Sequence, residues 1–196
     1  QLTRAEIAGL AALYLERTQA HRLLGKARFI DKMLGNYAHL GLIQLMFPHA
    51  VIIDARRHPM ACGFSCYKQL FGHRLAFTYD LELFAQYYRG YHDFMEHIDA
   101  VLPGRVHRVY YEQLIADPET EVRRLLNHCG VEFEPQCLRF YENRRAVMTV
   151  SSEQVRQPLY TDSLDQWRHY EPWLGLLREG LGELVERYPF PGRSRI

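Results

Sequence analysis

The chain has 196 residues, 47% of them hydrophobic and 24% charged, with a formal net charge of +1. That length suits one domain with a sizeable core and is short for two, and the composition is that of a folded globular chain. The near-neutral balance excludes a global basic field, so no nucleic-acid partner is expected and any anion site must be built locally. Four cysteines (Cys62, Cys66, Cys129, Cys137) are too few for a disulfide scaffold and read as reduced thiols of a cytoplasmic protein. Ten histidines include no HExxH pattern, Cys62 and Cys66 lack further ligands, and no metal is expected. No apolar run reaches the roughly 18 residues of a membrane span, and no signal peptide opens the chain. It begins without Met, in what reads as the middle of a domain.

Taken in chain order, Thr3-x-x-Glu6 is a capping box that predicts a helix through about Arg17, with Ile7, Leu10, Leu13 and Tyr14 at helical spacing. A short strand is expected over Ala27 to Ile30, delivering Asp31 and Lys32. Asn36 to Phe47 reads as a helix stopped by Pro48, and Ala50 to Ala55 as a strand covered on both faces. Pro59 suits a helix's first turn, so Pro59 to Phe71 is expected to be helical. A long helix from Leu81 to Val101 and a third strand from Val106 to Tyr110 come next. Helices are expected at Glu119 to Cys129, closed by Gly130, at Gln136 to Asn143, and from Ser163 to about Tyr188. Alternating strands and helices argue an α/β domain with a parallel sheet, one domain over residues 1–196.

The segment Val51-Ile-Ile-Asp-Ala-Arg-Arg-His-Pro-Met-Ala-Cys-Gly-Phe-Ser65 is the most informative. Arg57 ends a strand, where open α/β sheets bind ligands. Ser65 lies about 9 Å along the following helix, within reach of an extended guanidinium, so fork and hydroxyl can meet on one phosphate. This Arg57-x-Pro59…Ser65 pattern resembles the 3'-phosphate-binding strand and helix of sulfotransferases that use 3'-phosphoadenosine 5'-phosphosulfate (PAPS). His58 and Ala61 stand where that family often has acids.

Three more segments carry the resemblance in order. Phe29-Ile-Asp31-Lys32-Met33-x-x-Asn36-Tyr37 is similar to the Asp-Lys-Met-Pro segment of bacterial sulfotransferases that follow tetratricopeptide repeats, and to the Asn-Lys-Asp-Pro segment of protein-tyrosine sulfotransferases, with Leu34 in place of the proline. Lys32 then matches a lysine that balances charge on the transferring sulfuryl group, and Asp31 a candidate base. Val109-Tyr-Tyr111-Glu-Gln-Leu-x-x-Asp117-Pro118 resembles the element beside adenine, which assigns Tyr111 to cofactor contact; Glu112 and its helix read as serving the fold. Thr149-Val-Ser151-Ser-Glu-Gln-Val-Arg156-Gln-Pro158, with Trp167 beyond, resembles the cofactor-covering loop and helix. It places Ser151 near the sulfuryl end and Arg156 within reach of a phosphate, while Gln166 replaces an expected base. Trp167, Tyr170 and Trp173 read as a core-facing stripe.

The resemblance implies a three-layer parallel sheet flanked by helices, a P-loop-NTPase-like sulfotransferase fold lacking its first strand and phosphate loop, since no Gly-Thr phosphate loop occurs in the chain. It implies direct transfer from PAPS to a hydroxyl or amine acceptor without metal. PAPS and adenosine 3',5'-bisphosphate would be its ligands, and an upstream tetratricopeptide-repeat region a companion. The acceptor is open; the aromatic stretch Phe77 to Phe94 is a candidate lining. A non-catalytic 3',5'-nucleotide-binding module is the alternative, and a kinase is disfavoured by the absence of GxxxxGK[ST].

Overall fold

A computed structural model describes residues 2–22, 25–71, 73–144, 154–159 and 162–189. The expected capping box forms: the Thr3 amide donates to Glu6 Oε2 (2.7 Å), and the Glu6 amide donates to Thr3 Oγ1 (3.3 Å). Helix α1 (Arg4–Thr18) follows with no buried residue. Tyr14, ring to ring with Phe47 at 5.4 Å, joins it to α2 (Leu40–Met46). The first four residues of the expected 36–47 helix instead belong to a 3-10 turn, Leu34–His39, that leads into α2.

Two parallel strands, β1 (Ile52–Arg56) and β2 (Val106–Tyr110), pair from Ile52↔Val106 to Arg56↔Tyr110. Between them run α3 (Pro59–Tyr67) and α4 (Leu81–Val101). Pro59 does open α3, but the helix stops at Tyr67, short of Phe71. Asp80 caps α4, its carboxylate accepting from the Glu82 and Leu83 amides. After β2 come α5 (Tyr111–Ala116) and α6 (Pro118–Cys129), the latter closed by Gly130 at φ 60°, a left-handed position that glycine fills without a Cβ clash.

Alternation along the strands sorts the layers. Arg108 faces α4, where its Nη2 meets Asp99 at 2.5 Å, whereas the neighbouring His107 stacks on His128 of α6 at 4.8 Å. Helices thus lie on both faces of a parallel sheet, the α/β arrangement expected. Coverage on the α6 side reaches β2 more than β1, so Ile53 is 44% exposed and β1 is not buried on both faces as the apolar run suggested. Among the described residues Ala27 to Ile30 is not a strand. Arg28 instead donates to the Cys129 carbonyl (2.6 Å), anchoring the segment on the C-terminus of α6, while Ile30 stays 91% exposed. A four-residue run becomes a strand only beside a free edge to pair with, and this one sits against a helix end.

Two hydrophobic clusters share α4. Phe84, Ala85 and Tyr88 pack with Met60 and Ala61 of α3 and with Trp167, Leu177 and Leu181. Met95 and Ile98 pack with Leu40 and Ile52. The expected long C-terminal helix is broken into α7 (Asp162–Asp165), a 3-10 segment Gln166–Trp173, α8 (Gly175–Leu181) and a further turn at Gly182–Leu184. Pro172 withholds an amide and Gly182 takes φ 55°, which ends regular helix on both sides of α8. The same break dissolves the aromatic stripe: Trp167 is buried, but Tyr170 and Trp173 are 48% and 72% exposed. The turn Pro135–Glu142 is likewise 3-10 rather than the α-helix expected from Gln136 to Asn143.

Candidate functional site

The C-terminal ends of β1 and β2 lie side by side, since Arg56 pairs with Tyr110 in the ladder. The next residue of each strand therefore emerges at the same edge. Arg57 and Tyr111 meet there, with the guanidinium carbon 5.4 Å from the Tyr111 ring centroid. Both are half-buried. Tyr88 of α4 approaches from below, its hydroxyl donating to the Arg57 carbonyl at 3.5 Å.

Helix α3 supplies the second wall. At about 100° per residue, Cys62, Ser65 and Cys66 share one strip of it. The Cys62 thiol donates to the Cys66 sulfur, which pushes Cys62 well above the ordinary thiol range, with burial adding to the effect. The same bond holds Cys66 below that range; burial opposes this and the Arg57 guanidinium assists it. Half-buried Ser65 lies on the same strip.

The loop is held by Glu112. One carboxylate oxygen accepts the His58 amide at 2.8 Å and the other accepts the Tyr188 hydroxyl at 2.5 Å. Burial and this bond raise Tyr188 far above the usual phenol range. His58, 5% exposed, stacks flat on Trp167 at 5.3 Å and 9° and meets Tyr188 edge-on at 5.3 Å. Burial first, then Arg168 and Arg178, lower its imidazole to about 4, so it is neutral at pH 7. A neutral ring fills the place where an acid was expected, and Glu112 supplies the carboxylate from across the sheet. Glu112, expected to serve the fold, fixes the backbone between Arg57 and Pro59. The acid directly after Tyr111 at a strand end was the available signal.

Gln166, where a base was expected, accepts a hydrogen bond from the Lys68 ammonium one residue beyond α3. A cation stands at that position, contributed by another segment.

The remaining candidates lie elsewhere. Asp31 accepts from the Tyr14 hydroxyl (2.6 Å) and from Asn36 Nδ2 (3.3 Å), and burial together with this carboxylate pushes the Tyr14 phenol up to about 12. Lys32 beside it is exposed. This segment docks through Tyr37, which meets Tyr87, Tyr91 and Phe94 of α4 edge-on at 5.2 to 6.1 Å. Arg156 is exposed, and its Nη1 donates to the Asn143 carbonyl. Ser151 lies outside the described residues.

A cavity of about 240 Å³ opens beneath the sheet, lined among others by Arg56, His92, Glu96, Asp99, Arg108 and Arg187. Its guanidiniums are matched by carboxylates: Arg56 and Arg108 share Asp54, Arg108 also meets Asp99, and Arg187 meets Glu96. His92, Asp93 and Glu96 bring ligand atoms within 4.8 Å of one another, but Glu96 is engaged by Arg187. Among the described residues no helix is long and apolar enough to cross a membrane.

A family profile described as "Sulfotransferase family" matches residues 1–135, more than half of the chain. The chain belongs to the sulfotransferase family. The matched region contains Asp31, Lys32, Arg57, Ser65 and Tyr111 and stops short of Ser151 and Arg156. An "Uncharacterized protein" of Aquifex aeolicus is 33% identical over 172 residues, covering 82% of this chain and 23% of its own length. A Caenorhabditis briggsae sequence named "Putative protein-tyrosine sulfotransferase" is 33% identical over 70 residues, covering 33% of this chain and 25% of its own length. The chain spans about a quarter of the length of these curated relatives.

Proposed function

We propose that this sulfotransferase-family chain is part of one catalytic domain that moves a sulfuryl group from PAPS to a hydroxyl or amine acceptor. In this reading Arg57 and Ser65 hold the 3'-phosphate, and Tyr111 flanks the adenine. Lys32 and Ser151 offset charge at the sulfuryl centre, Asp31 is the candidate base, and Arg156 is a further phosphate contact. Transfer is direct and in line, with positioning and preorganised charge providing most of the acceleration. Its free thiols suit a cytoplasmic setting.

The observation that carries the reading is the meeting of Arg57 with Tyr111 at the shared ends of β1 and β2. A planar guanidinium beside a ring at the ends of two parallel strands suits a ribose-linked phosphate dianion next to a base. The aromatic stretch Phe77 to Phe94, where Phe77 stacks on Tyr87 at 4.1 Å, is the candidate lining of the acceptor pocket. The test is calorimetry with adenosine 3',5'-bisphosphate and AMP: tighter binding of the bisphosphate is expected, and equal binding would remove the 3'-phosphate assignment.

A second reading, a nucleotide-binding module without catalysis, is favoured by one observation. Asp31 is occupied by Tyr14 and Asn36, on the α1 side of the molecule. Transfer of labelled sulfate from PAPS by the protein, lost on Lys32→Ala, separates the two; binding without transfer selects the module.

A further inference from the structure

The cavity on the α4 face of the sheet has its charges balanced in number but not its hydrogen bonds. Tyr88, His92, Glu96 and Asp99 follow helical spacing and form one stripe of α4 along its wall. Arg56 of β1 and Arg108 of β2 face that stripe from the sheet, the Arg56 guanidinium carbon 5.3 Å from the Tyr91 ring centroid. Arg56 and Asp54 are the deepest charges, each with 9% of its side chain exposed. Both oxygens of Asp54 are engaged. Oδ1 accepts from the Tyr91 hydroxyl at 2.5 Å, while Oδ2 accepts from Arg56 Nε at 2.8 Å and lies 3.5 Å from Arg108 Nε. Glu96 and Asp99 are nearer solvent, where they meet Arg187 at 2.8 Å and Arg108 Nη2 at 2.5 Å.

Three buried nitrogens of this wall make no hydrogen bond with any described residue: Arg56 Nη2, Arg108 Nε and His92 Nδ1. The nearest acid to His92 Nδ1 is Glu96 at 3.9 Å, beyond hydrogen-bond distance. The two arginine groups can only donate, and a neutral imidazole donates from Nδ1 in one of its tautomers. No acceptor atom of the lining residues is left over in the same way. Water brings two hydrogens that need acceptors of their own, whereas an oxyanion only accepts, so it complements a wall of unfilled donors better. The volume of about 240 Å³ is several times the roughly 30 Å³ share of one water.

We propose that this cavity binds a small tetrahedral oxyanion, of sulfate or phosphate size, through Arg56, Arg108 and His92. The site is distinct from the strand-end edge, because Arg56 lies over Tyr91 of α4 while Arg57 lies against Tyr111. It stands on the cavity and its donors and does not depend on the function proposed above. Tyr88 links the two places, since it lines the cavity and its hydroxyl donates to the Arg57 carbonyl.

The experiment titrates the chain with sodium sulfate and, separately, sodium phosphate, against sodium chloride at matched ionic strength, by calorimetry. The Arg57→Ala variant serves as background, so that an ion at the strand-end edge does not contribute. Saturable binding of at least one oxyanion is expected there. His92→Phe keeps a ring and loses the donor; Arg56→Lys keeps the charge beside Asp54 and loses the fork. Each should weaken binding at least about tenfold, with folding checked by circular dichroism. In the wild type, the ring nitrogens of His92, followed by long-range proton–nitrogen NMR, should shift with the same Kd. Heats no different from chloride in the Arg57→Ala background overturn the site, as does binding that His92→Phe and Arg56→Lys leave unchanged. His92 nitrogens that stay still while an oxyanion binds place the ion elsewhere and refute the proposal without calling on any variant.

Discussion

Replacing Arg57 with Ala separates two contributions, the contact with Tyr111 and the proposed grip on the 3'-phosphate. The guanidinium lies 5.4 Å from the Tyr111 ring centroid, a cation–π contact of about 0.5–1 kcal/mol at a half-buried position. Its loss affects any adenine nucleotide that uses the same edge, a weakening of about two- to fivefold. Charge-assisted hydrogen bonds to a 3'-phosphate are larger, about 1.5–3 kcal/mol, and only the bisphosphate makes them. Calorimetry should therefore show adenosine 3',5'-bisphosphate weakened about 10- to 150-fold beyond any loss of AMP. Arg57→Lys should fall between, because it keeps the charge and loses the planar fork. Circular dichroism of each variant confirms folding. If both ligands weaken by the same factor, Arg57 serves the Tyr111 stack only and the 3'-phosphate assignment fails.

Glu112→Ala removes the acceptor of both the His58 amide and the Tyr188 hydroxyl; a loss of about 2–3 kcal/mol in urea unfolding is expected, and a neutral change would refute its tethering role. Gly63→Ala would place a Cβ 2.7 and 2.8 Å from the two Leu177 Cδ atoms and 3.0 Å from Phe84 Cε1, destabilising the chain by about 1–3 kcal/mol and lowering its Tm by several degrees. His58 titrates near 4 when folded, against 6.5 as its ordinary value. Between these values the unfolded chain binds the extra proton, so the stability from neutral His58 is complete above about pH 6.5 and declines as pH falls toward 4, by up to roughly 3 kcal/mol. His58→Phe should flatten that part of the pH dependence; equal acid sensitivity in both proteins would show that the ring is not the titrating group.

The sequence was most legible where local chemistry and long-range packing agree. The capping box at Thr3, the span Leu81–Val101, the strand Val106–Tyr110 and the Gly130 stop all appear where spacing placed them. In each, a cap, a period or a glycine acts within a few residues. The failures have a shared cause as well. Ala27 to Ile30 carries strand composition, but pairing depends on an edge contributed by distant chain, and Arg28 draws the segment to α6. The C-terminal apolar period continues across Pro172 and Gly182, so pattern alone implied one helix where the backbone makes several.

The site divides along the same line. Arg57 and Tyr111 come together by strand-end logic, because a parallel ladder in register must deliver both successor residues to one edge, whereas the role expected of Ser65 on α3 came from helix reach and the family resemblance. The acid after Tyr111 marks a strand end but not its partner, because Glu112 and His58 are 54 residues apart and meet only through that ladder. Lys68 beside Gln166 is a similar case: a substitution that looked like a missing charge in one segment is met by a lysine 98 residues away. Charge balance and backbone support at one position can come from a neighbouring element of the fold. A residue-by-residue comparison with family motifs therefore overcounts losses wherever a neighbouring element can supply the same group.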